Sequence, residues 1–160
     1  MTELETNQRA AVVAAAMSWL RTPYHHQAGV KGAGCDCAFL LVRVFAECGL
    51  VPEIDPRPYP PDWHLHRDEE RYLGWVERYA QRVQVPLPGD VALWRFGRTV
   101  SHGGIVVAWP TIIHAYRGEG VVLENAAHGR LAEPGRLHGF FSVFFETPPV
   151  AAEPDLRKDL

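Results

Sequence analysis

Apolar residues follow two different periods in this sequence, and the change between them near residue 88 decides the class of fold. Before that point they recur three and four residues apart, as in Val13, Met17 and Leu20, which is the spacing of one helix face. After Pro88-Gly89-Asp90, short runs rich in β-branched residues are separated by Gly and Pro turns. Helices followed by a series of strands predict an α+β fold.

Three helices and five strands are predicted from these patterns. The first helix is expected from about residue 3 to 20, with Thr2 and Glu5 as its capping box. The second begins at Cys37 and ends before Gly49, which is a typical glycine at a helix C-terminus. Tyr72, Trp75, Val76, Tyr79 and Val83 mark the third helix, and strands are expected at residues 91–94, 104–108, 112–116, 121–124 and 140–145.

The length of 160 residues fits a single domain. We expect it to cover residues 1–146 and to include an insert at residues 52–85 that is rich in proline and aromatic residues. Five prolines between positions 52 and 61 exclude a regular helix in that stretch. Residues 147–160 read as a loose C-terminal tail.

Charge and cysteine content exclude several classes of protein. The net charge is −3 and no basic run stands out, so nucleic acid is not expected as a partner. The apolar stretch 10–20 is too short to span a membrane, and it follows acidic residues instead of the positive charge of a secretory signal. We therefore expect synthesis in the cytoplasm without a signal peptide and no membrane partner. Three cysteines are too few for a disulfide scaffold and fit reduced thiols.

Cys37 is the candidate nucleophile. A thiol in the first turn of a helix faces unpaired N–H groups and the positive end of the helix dipole, which favours the thiolate. The alternative is a small core residue, the role we expect for Cys48 at the far end of the same helix face. Cys35, before the helix, is either exposed or packed.

Two histidines provide a candidate base and its partner. His102 is expected at the entry of a strand, and His114 follows in the next strand, where a buried ring needs a polar partner. His114 therefore orients His102 if both lie on one face of the hairpin. This requires a loop of odd length, or a bulge, around residues 108–110, because a two-residue loop alone places the rings on opposite faces.

A metal site is not expected. The pairs His25-His26 and His64-x-His66 have neither the i, i+4 spacing of a helical site nor a Cys-x-x-Cys partner. We expect no cofactor.

Several short motifs together resemble the NlpC/P60 cysteine peptidases, in type and in order, over most of residues 10–125. They are Thr22-Pro23-Tyr24, Gly34-Cys35-Asp36-Cys37, Pro88-Gly89-Asp90, Ser101-His102-Gly103-Gly104-Ile105 and Ile113-His114-Ala115. The loop Tyr24-His25-His26-Gln27 and the insert with Trp63-His64 resemble the phage-associated branch of cell-wall peptidases in this family.

The resemblance implies a papain-like fold in which the nucleophile helix packs on an antiparallel sheet of about five or six strands. It implies Cys37 as nucleophile, His102 as general base and His114 as the orienting residue, with the hydroxyl of Tyr24 near the oxyanion. Substrate contacts are expected at Asp36, Trp63, Ser101 and Gly103, and Asp36 is also expected to cap the helix.

The implied activity is hydrolysis of peptidoglycan stem peptides, typically between D-glutamate and a diamino acid, through an acyl-enzyme. A phage or prophage origin, with a tail-tip protein as possible partner and the virion as location, accounts for the absent secretion signal. The family commonly continues Asp-Cys-Ser-Gly, whereas Ala38 and Phe39 follow Cys37 here. The serine hydroxyl that Ala38 lacks belongs to the wall of the substrate site and not to the triad, so we expect its loss to affect specificity more than activity.

Two alternatives to this function stay open: a non-catalytic component of tail assembly, and a thiol amidase or acyltransferase acting on a lipid or small molecule. The insert at residues 52–67 has two readings as well. Either it overhangs Cys37 and shapes the cleft with Trp63, or it packs its aromatic side chains on the third helix.

Overall fold

A six-stranded antiparallel sheet with helices packed on it forms the part of the chain that the computed structural model describes, residues 1–59 and 70–145. The helices are α1 (Glu3–Met17), α2 (Cys37–Glu47) and α3 (Arg71–Tyr79), with a short 3₁₀ helix at Gly129–Leu131. The strands are β1 (Gly29–Val30), β2 (Gly34–Cys35), β3 (Gln81–Val83), β4 (Val91–Phe96), β5 (Thr99–Ala108), β6 (Thr111–Tyr116), β7 (Gly120–Asn125) and β8 (Leu137–Ser142). The sheet order is β3-β8-β4-β5-β6-β7, and β1 and β2 form a separate hairpin. The predicted α+β fold is confirmed.

Helix α1 is three residues shorter than predicted and has half of the expected capping box. The hydroxyl of Thr2 accepts from the N–H of Glu5 at 3.1 Å, but the carboxylate of Glu5 binds Arg9 instead of returning to the cap. After Met17 the chain tightens into a three-residue turn, in which the N–H of Leu20 donates to the carbonyl of Met17. The apolar spacing therefore continues beyond the helix.

Helix α2 begins and ends where the sequence predicts. Asp36 is its N-cap and accepts from the N–H of Phe39 at 3.0 Å. Gly49 follows the helix with φ +69°, a left-handed conformation that favours glycine. The N–H of Leu50 then donates to the carbonyl of Phe45, as in a Schellman motif.

The third helix ends at Tyr79, and the assignment of Val83 to it was wrong. The backbone of Ala80 is extended, and Val83 pairs with Phe140 as the last residue of β3. Helical spacing and strand alternation are indistinguishable over so short a stretch, and pairing with β8 decides between them.

The hairpin of β5 and β6 fulfils the parity requirement for the two histidines. Residues Trp109 and Pro110 form a two-residue turn, but the register shifts at Val107, which leaves that residue without a partner. Val106 pairs with Ile112, so residues 102 and 114 lie on one face. Strand β5 begins at Thr99, which places His102 inside the strand instead of at its entry.

Both faces of the sheet are covered. Helix α2 packs on one face, where Leu40 and Val44 meet Ile105 and Ile113. On the other face, Leu131 of the 3₁₀ helix packs in a cluster that includes Trp94. Burial of these apolar side chains away from water stabilises the fold.

The turn at Pro88-Gly89-Asp90 joins α1 to the sheet through a buried ion pair. The guanidinium of Arg9 donates to the carboxylate of Asp90 at 2.8 Å and to the carbonyl of Pro88 at 2.9 Å. The other carboxylate oxygen of Asp90 accepts from the N–H of Leu87. Both charges are hydrogen-bonded, as buried charges need to be.

Part of the insert and the tail lie outside the described residues. This applies to Trp63, His64 and His66, and to residues 146–160, so the two readings of Trp63 stay predictions. Within the described ranges, none of the helices combines the length and the apolar character that crossing a membrane requires.

Candidate active site

Asp36 fixes the position of Cys37 at the start of α2. Besides capping the helix, its buried carboxylate accepts from the N–H of Gln27 at 2.7 Å and from the hydroxyl of Tyr59 at 2.6 Å. The predicted loop and the beginning of the insert are thus tied to the residue before the thiol. This arrangement holds the first turn of the helix in one place.

The sulfur of Cys37 lies against the main chain on both sides of His102. The thiol donates to the carbonyl of Ser101 at 3.8 Å, and the backbone N–H of Gly103 lies within hydrogen-bonding reach of the sulfur. The hydroxyl of Tyr72 on α3 approaches the same residue and donates to its carbonyl at 3.4 Å. A Cβ atom at position 103 would lie 2.7 Å from the Tyr72 hydroxyl, so this close approach requires glycine.

His102 and His114 form a hydrogen-bonded pair. Nε2 of His102 lies 2.8 Å from Nδ1 of His114, and the rings are 7% and 0% exposed. Aromatic rings of Trp94, Phe96 and Tyr116 surround His102. Nδ1 of His102 is therefore the ring nitrogen that the contact with His114 leaves unoccupied.

The resting charges of the site differ from the sequence expectation. Burial, followed by the charge of Asp36, raises the pKa of Cys37 to about 12, although hydrogen bonds from Tyr72 and the backbone act in the opposite direction. The expectation that the helix terminus favours the thiolate was therefore wrong, because desolvation of the charge outweighs the helix dipole. Burial also lowers the pKa of His102 well below its usual value and lowers that of His114. The resting site is a neutral thiol beside two neutral imidazoles.

We expect the protein to lose stability as the pH falls below about 6.5. In that range the unfolded chain protonates both imidazoles, whereas the folded chain keeps them neutral because their pKa values are lowered. More protons bound to the unfolded state mean that stability rises with pH up to about 6.5, and this contribution is constant above it.

Thermal unfolding of wild type, His102→Gln and His128→Gln between pH 5 and pH 8 measures this effect. His102→Gln should make the acid slope shallower by about one proton, or about 1.4 kcal/mol per pH unit. His128→Gln removes an exposed imidazole and should leave the slope as in wild type. Equal slopes in all three proteins would contradict the prediction.

Tyr24 lines the same cavity as Cys37, and a role of its hydroxyl near the oxyanion stays a prediction. Its backbone forms a bridge to Cys35, and its side chain is half-buried. Burial, followed by the proximity of Cys37, raises its pKa to about 12, and its hydroxyl is hydrogen-bonded to Arg117. The hydroxyl therefore stays protonated and available as a donor.

Cys37 and His102 border one cavity of about 440 Å³. Ser101 also lines it, whereas Asp36 and Gly103 are buried and do not border it. Substrate contact by these three residues stays a prediction. Away from Cys37 and His102 the wall is mainly apolar and is formed by Leu41, Val42, Phe45, Trp75, Val76 and Tyr79.

Of the three cysteines, all within the described ranges, Cys37 alone borders this cavity. Cys35 is fully buried, and burial raises its pKa far above the usual value. Cys48 is half-buried at the C-terminus of α2 and packs against the core, as predicted.

The described residues contain no group of three or more His, Cys, Asp or Glu side chains arranged to hold a metal ion. Nε2 of His26 instead lies 2.8 Å from the carbonyl of Tyr59, in the loop that Asp36 fixes.

Sequence reasoning missed two contributors to the site. Tyr72 was assigned only to a helix face, because its distance from Cys37 along the chain gives no signal of contact. Glu124, which lies 2.9 Å from Nε2 of His114, was hidden in a strand pattern. Its only sequence signal is a charged residue at the end of the apolar run Val121-Val122-Leu123.

Solved structures of NlpC/P60 domains are similar to this fold. The NlpC/p60 domain of the peptidoglycan hydrolase SagA matches with a TM-score of 0.55 and 20% identity, over 83% of this chain and 96% of that chain. An NLP/P60 family protein similar to a lipoprotein, from Staphylococcus aureus, matches with a TM-score of 0.63 and 17% identity, over 90% of this chain and 44% of that chain. A Bacillus cereus NlpC/P60 family protein matches with a TM-score of 0.60 and 16% identity, over 82% and 39%. This chain thus spans less than half of the last two proteins.

No protein-family model matches the sequence, and no curated protein is similar enough to match. The similarity that the comparisons show is therefore one of fold. The chain has the NlpC/P60 fold, with a cysteine at the start of α2 and a histidine pair in β5 and β6.

Proposed function

We propose that this protein is a cysteine peptidase that hydrolyses peptidoglycan stem peptides through an acyl-enzyme on Cys37. The observation that carries the proposal is the arrangement of the thiol at a helix N-terminus and a hydrogen-bonded histidine pair around one cavity. A nucleophile, a base and a residue that orients the base are the parts that acyl transfer requires. The fold shared with a peptidoglycan hydrolase supports the choice of substrate.

Acylation begins from the neutral pair of thiol and imidazole. His102 accepts the proton of Cys37 at Nδ1 as the sulfur attacks the carbonyl carbon of the peptide bond. The backbone N–H of Cys37 and the hydroxyl of Tyr24 stabilise the oxyanion. The C–N bond then breaks, His102 returns the proton to the leaving amine, and a thioester is left on Cys37.

Deacylation uses the same residues in reverse order. His102 removes a proton from water, the hydroxide attacks the thioester carbonyl, and the proton returns to the sulfur as the acid leaves. The neutral resting state makes the thiol a weak nucleophile until substrate is bound, because His102 takes the proton only as the new C–S bond forms. Substrate that displaces water from the cavity strengthens this transfer.

The bond between D-glutamate and a diamino acid is the proposed site of cleavage, by resemblance to NlpC/P60 peptidases. Purified stem tripeptides and tetrapeptides with meso-diaminopimelate or lysine should be digested, and the fragments weighed. The expected products are L-alanyl-D-glutamate together with the free diamino acid from tripeptides, or with a dipeptide that begins with the diamino acid from tetrapeptides. Intact peptides, or cleavage at another bond, would contradict this assignment.

The apolar wall of the cavity favours a second candidate function. Stem peptides are polar, whereas Leu41, Phe45 and Val76 offer contacts to an acyl chain or an aromatic group. A thiol amidase or acyltransferase acting on a lipid or small amide would use the same triad. Its product distinguishes it, because transfer to an amine or alcohol forms a new amide or ester in place of a free acid.

We also propose a phage or prophage role with a tail-tip protein as partner. The support for it is the resemblance of the loop at residues 24–27 and of the insert to phage-associated family members. Detection of the protein in purified virions, with antibody against the chain, tests this placement. Absence from virions of a phage that carries the gene would contradict it.

A further inference from the structure

The side of His114 that faces away from His102 is closed by a carboxylate. Nε2 of His114 is fully buried and lies 2.9 Å from a carboxylate oxygen of Glu124. The contact falls outside the geometry of a well-aligned hydrogen bond, so the carboxylate acts on His114 mainly through its charge. Glu124 pairs with Ile112 across β6 and β7, and this register places its side chain on the same sheet face as His114.

Glu124 is held in place by Arg130. The guanidinium donates to its carboxylate at 2.6 Å and 3.2 Å, and it also pairs with Glu119 at 2.5 Å and 2.9 Å. The same guanidinium lies 3.5 Å from the centre of the Tyr116 ring. The single positive charge of Arg130 is thus shared by the carboxylates of Glu119 and Glu124, and the three groups together carry a net negative charge beside His114.

We propose that Glu124 is a positioning residue for the histidine pair, and that its carboxylate selects the tautomer of His114 that is protonated at Nε2. In that tautomer Nδ1 of His114 is an acceptor, and it receives the Nε2–H of His102. Nδ1 of His102 is then unprotonated and ready to accept the proton of Cys37. The roles of Cys37 and His102 in this inference rest on the proposed function, whereas the tautomer of His114 does not.

The surroundings of the pair contain few groups that compete with Glu124. In the described part of the chain, the charged and titratable side chains that act on the two rings are Tyr116 on β6, Glu119 in the turn before β7, Glu124 on β7 and Arg130 in the 3₁₀ helix. Strand β4 contributes the aromatic Trp94 and Phe96, and Cys37 on α2 borders the same cavity as His102. Burial lowers the pKa of His114, the carboxylate of Glu124 raises it, and Arg130 lowers it. The carboxylate therefore also stabilises the positive charge that the pair acquires when His102 takes a proton.

Glu124→Gln tests the proposal, with Glu133→Gln as its matched control. Glu133 pairs with Arg136 at 2.6 Å, so the control removes the same charge from a carboxylate–arginine pair that includes no histidine. The amide of a glutamine at position 124 can donate to Nε2 of His114, which favours the opposite tautomer and sets two donors against each other at His102. We expect kcat to fall about tenfold or more with little change in KM, as for other carboxylates that orient an imidazole.

Three measurements are needed. Imidazole ¹⁵N chemical shifts should show His114 protonated at Nε2 in wild type and shifted toward Nδ1 in Glu124→Gln. Alkylation of Cys37 by iodoacetamide should slow in Glu124→Gln and stay unchanged in Glu133→Gln. With a cleavable peptide, the acid limb of the pH–kcat profile should move to lower pH, since loss of the negative charge lowers the pKa of the pair.

The tautomer measurement separates this proposal from the proposed function, because it needs no substrate. A wild-type His114 protonated at Nδ1 would overturn the role of Glu124, even if Glu124→Gln failed to fold. If the protein has no peptidase activity but gives the expected ¹⁵N and alkylation results, the positioning role of Glu124 is retained. Only the proposed peptide substrate is then refuted. Equal behaviour of the Gln variants at positions 124 and 133 in all three measurements would also overturn the proposal.

Discussion

Cys37→Ala is expected to abolish hydrolysis while leaving the fold intact. In the proposed mechanism the sulfur forms the acyl-enzyme, so activity should fall by roughly 10⁴-fold or more. The side chain is small and borders the cavity, so the free energy of unfolding should change by less than about 1 kcal/mol. Peptide turnover and thermal unfolding of the same sample measure the two effects. Cys37→Ser should behave in the same way, because a serine hydroxyl is harder to deprotonate than a thiol.

Cys48→Ala is the matched control for this change. Cys48 packs against the core at the other end of α2 and does not border the cavity. Its replacement should cost on the order of 1 kcal/mol of stability through the lost contact and should spare catalysis. Loss of activity in Cys35→Ala but not in Cys37→Ala would show that the nucleophile is assigned to the wrong cysteine.

The position of Cys37 at the start of α2 was predictable because it depends on local chemistry. An aspartate before a helical apolar pattern is a helix cap, and this places the next residue in the first turn. The cap, the start of α2 and the glycine at its end are all found as expected. The protonation state of Cys37 was not predictable, because the burial that raises its pKa depends on packing against residues distant in the sequence, such as Ser101.

The sequence predicted that the two histidines pair only if the β5–β6 hairpin has a loop of odd length or a bulge. The structure has a bulge at Val107, which brings His102 and His114 to the same face of the sheet. No residue type in that run marks the bulge, since valine fits a regular strand equally well. The contact between Glu124 and His114 depends on a further register, between β6 and β7, so it needed the structure.

The insert marks another boundary of sequence reasoning. Its proline content correctly excluded helix at residues 52–59, where the structure has neither helix nor strand. The link from Tyr59 to Asp36 shows that the start of the insert reaches the nucleophile helix. The proline content alone does not predict this long-range contact, because proline restricts the local φ angle and does not determine which distant residue the segment contacts.

His102→Ala is expected to lower turnover by several orders of magnitude, because it removes the group that accepts the thiol proton. Variants of His114 should impair the proton transfer indirectly, because His114 orients His102 and does not itself accept the proton of the thiol. In the wild-type protein Nε2 of His102 lies 2.8 Å from Nδ1 of His114. His114→Asn keeps a polar side chain next to this nitrogen of His102. His114→Ala leaves that N–H unpaired in a buried site and lets the ring turn.

Turnover should therefore decrease in the order wild type, His114→Asn, His114→Ala and His102→Ala, measured as kcat with the same peptide. Thermal unfolding of each variant separates this order from a loss of folding, since His114 is fully buried. Equal losses in His114→Asn and His114→Ala would mean that hydrogen bonding by residue 114 does not orient the base. In that case burial among Trp94, Phe96 and Tyr116 would be sufficient to hold the ring of His102, and the hydrogen bond would contribute only to stability.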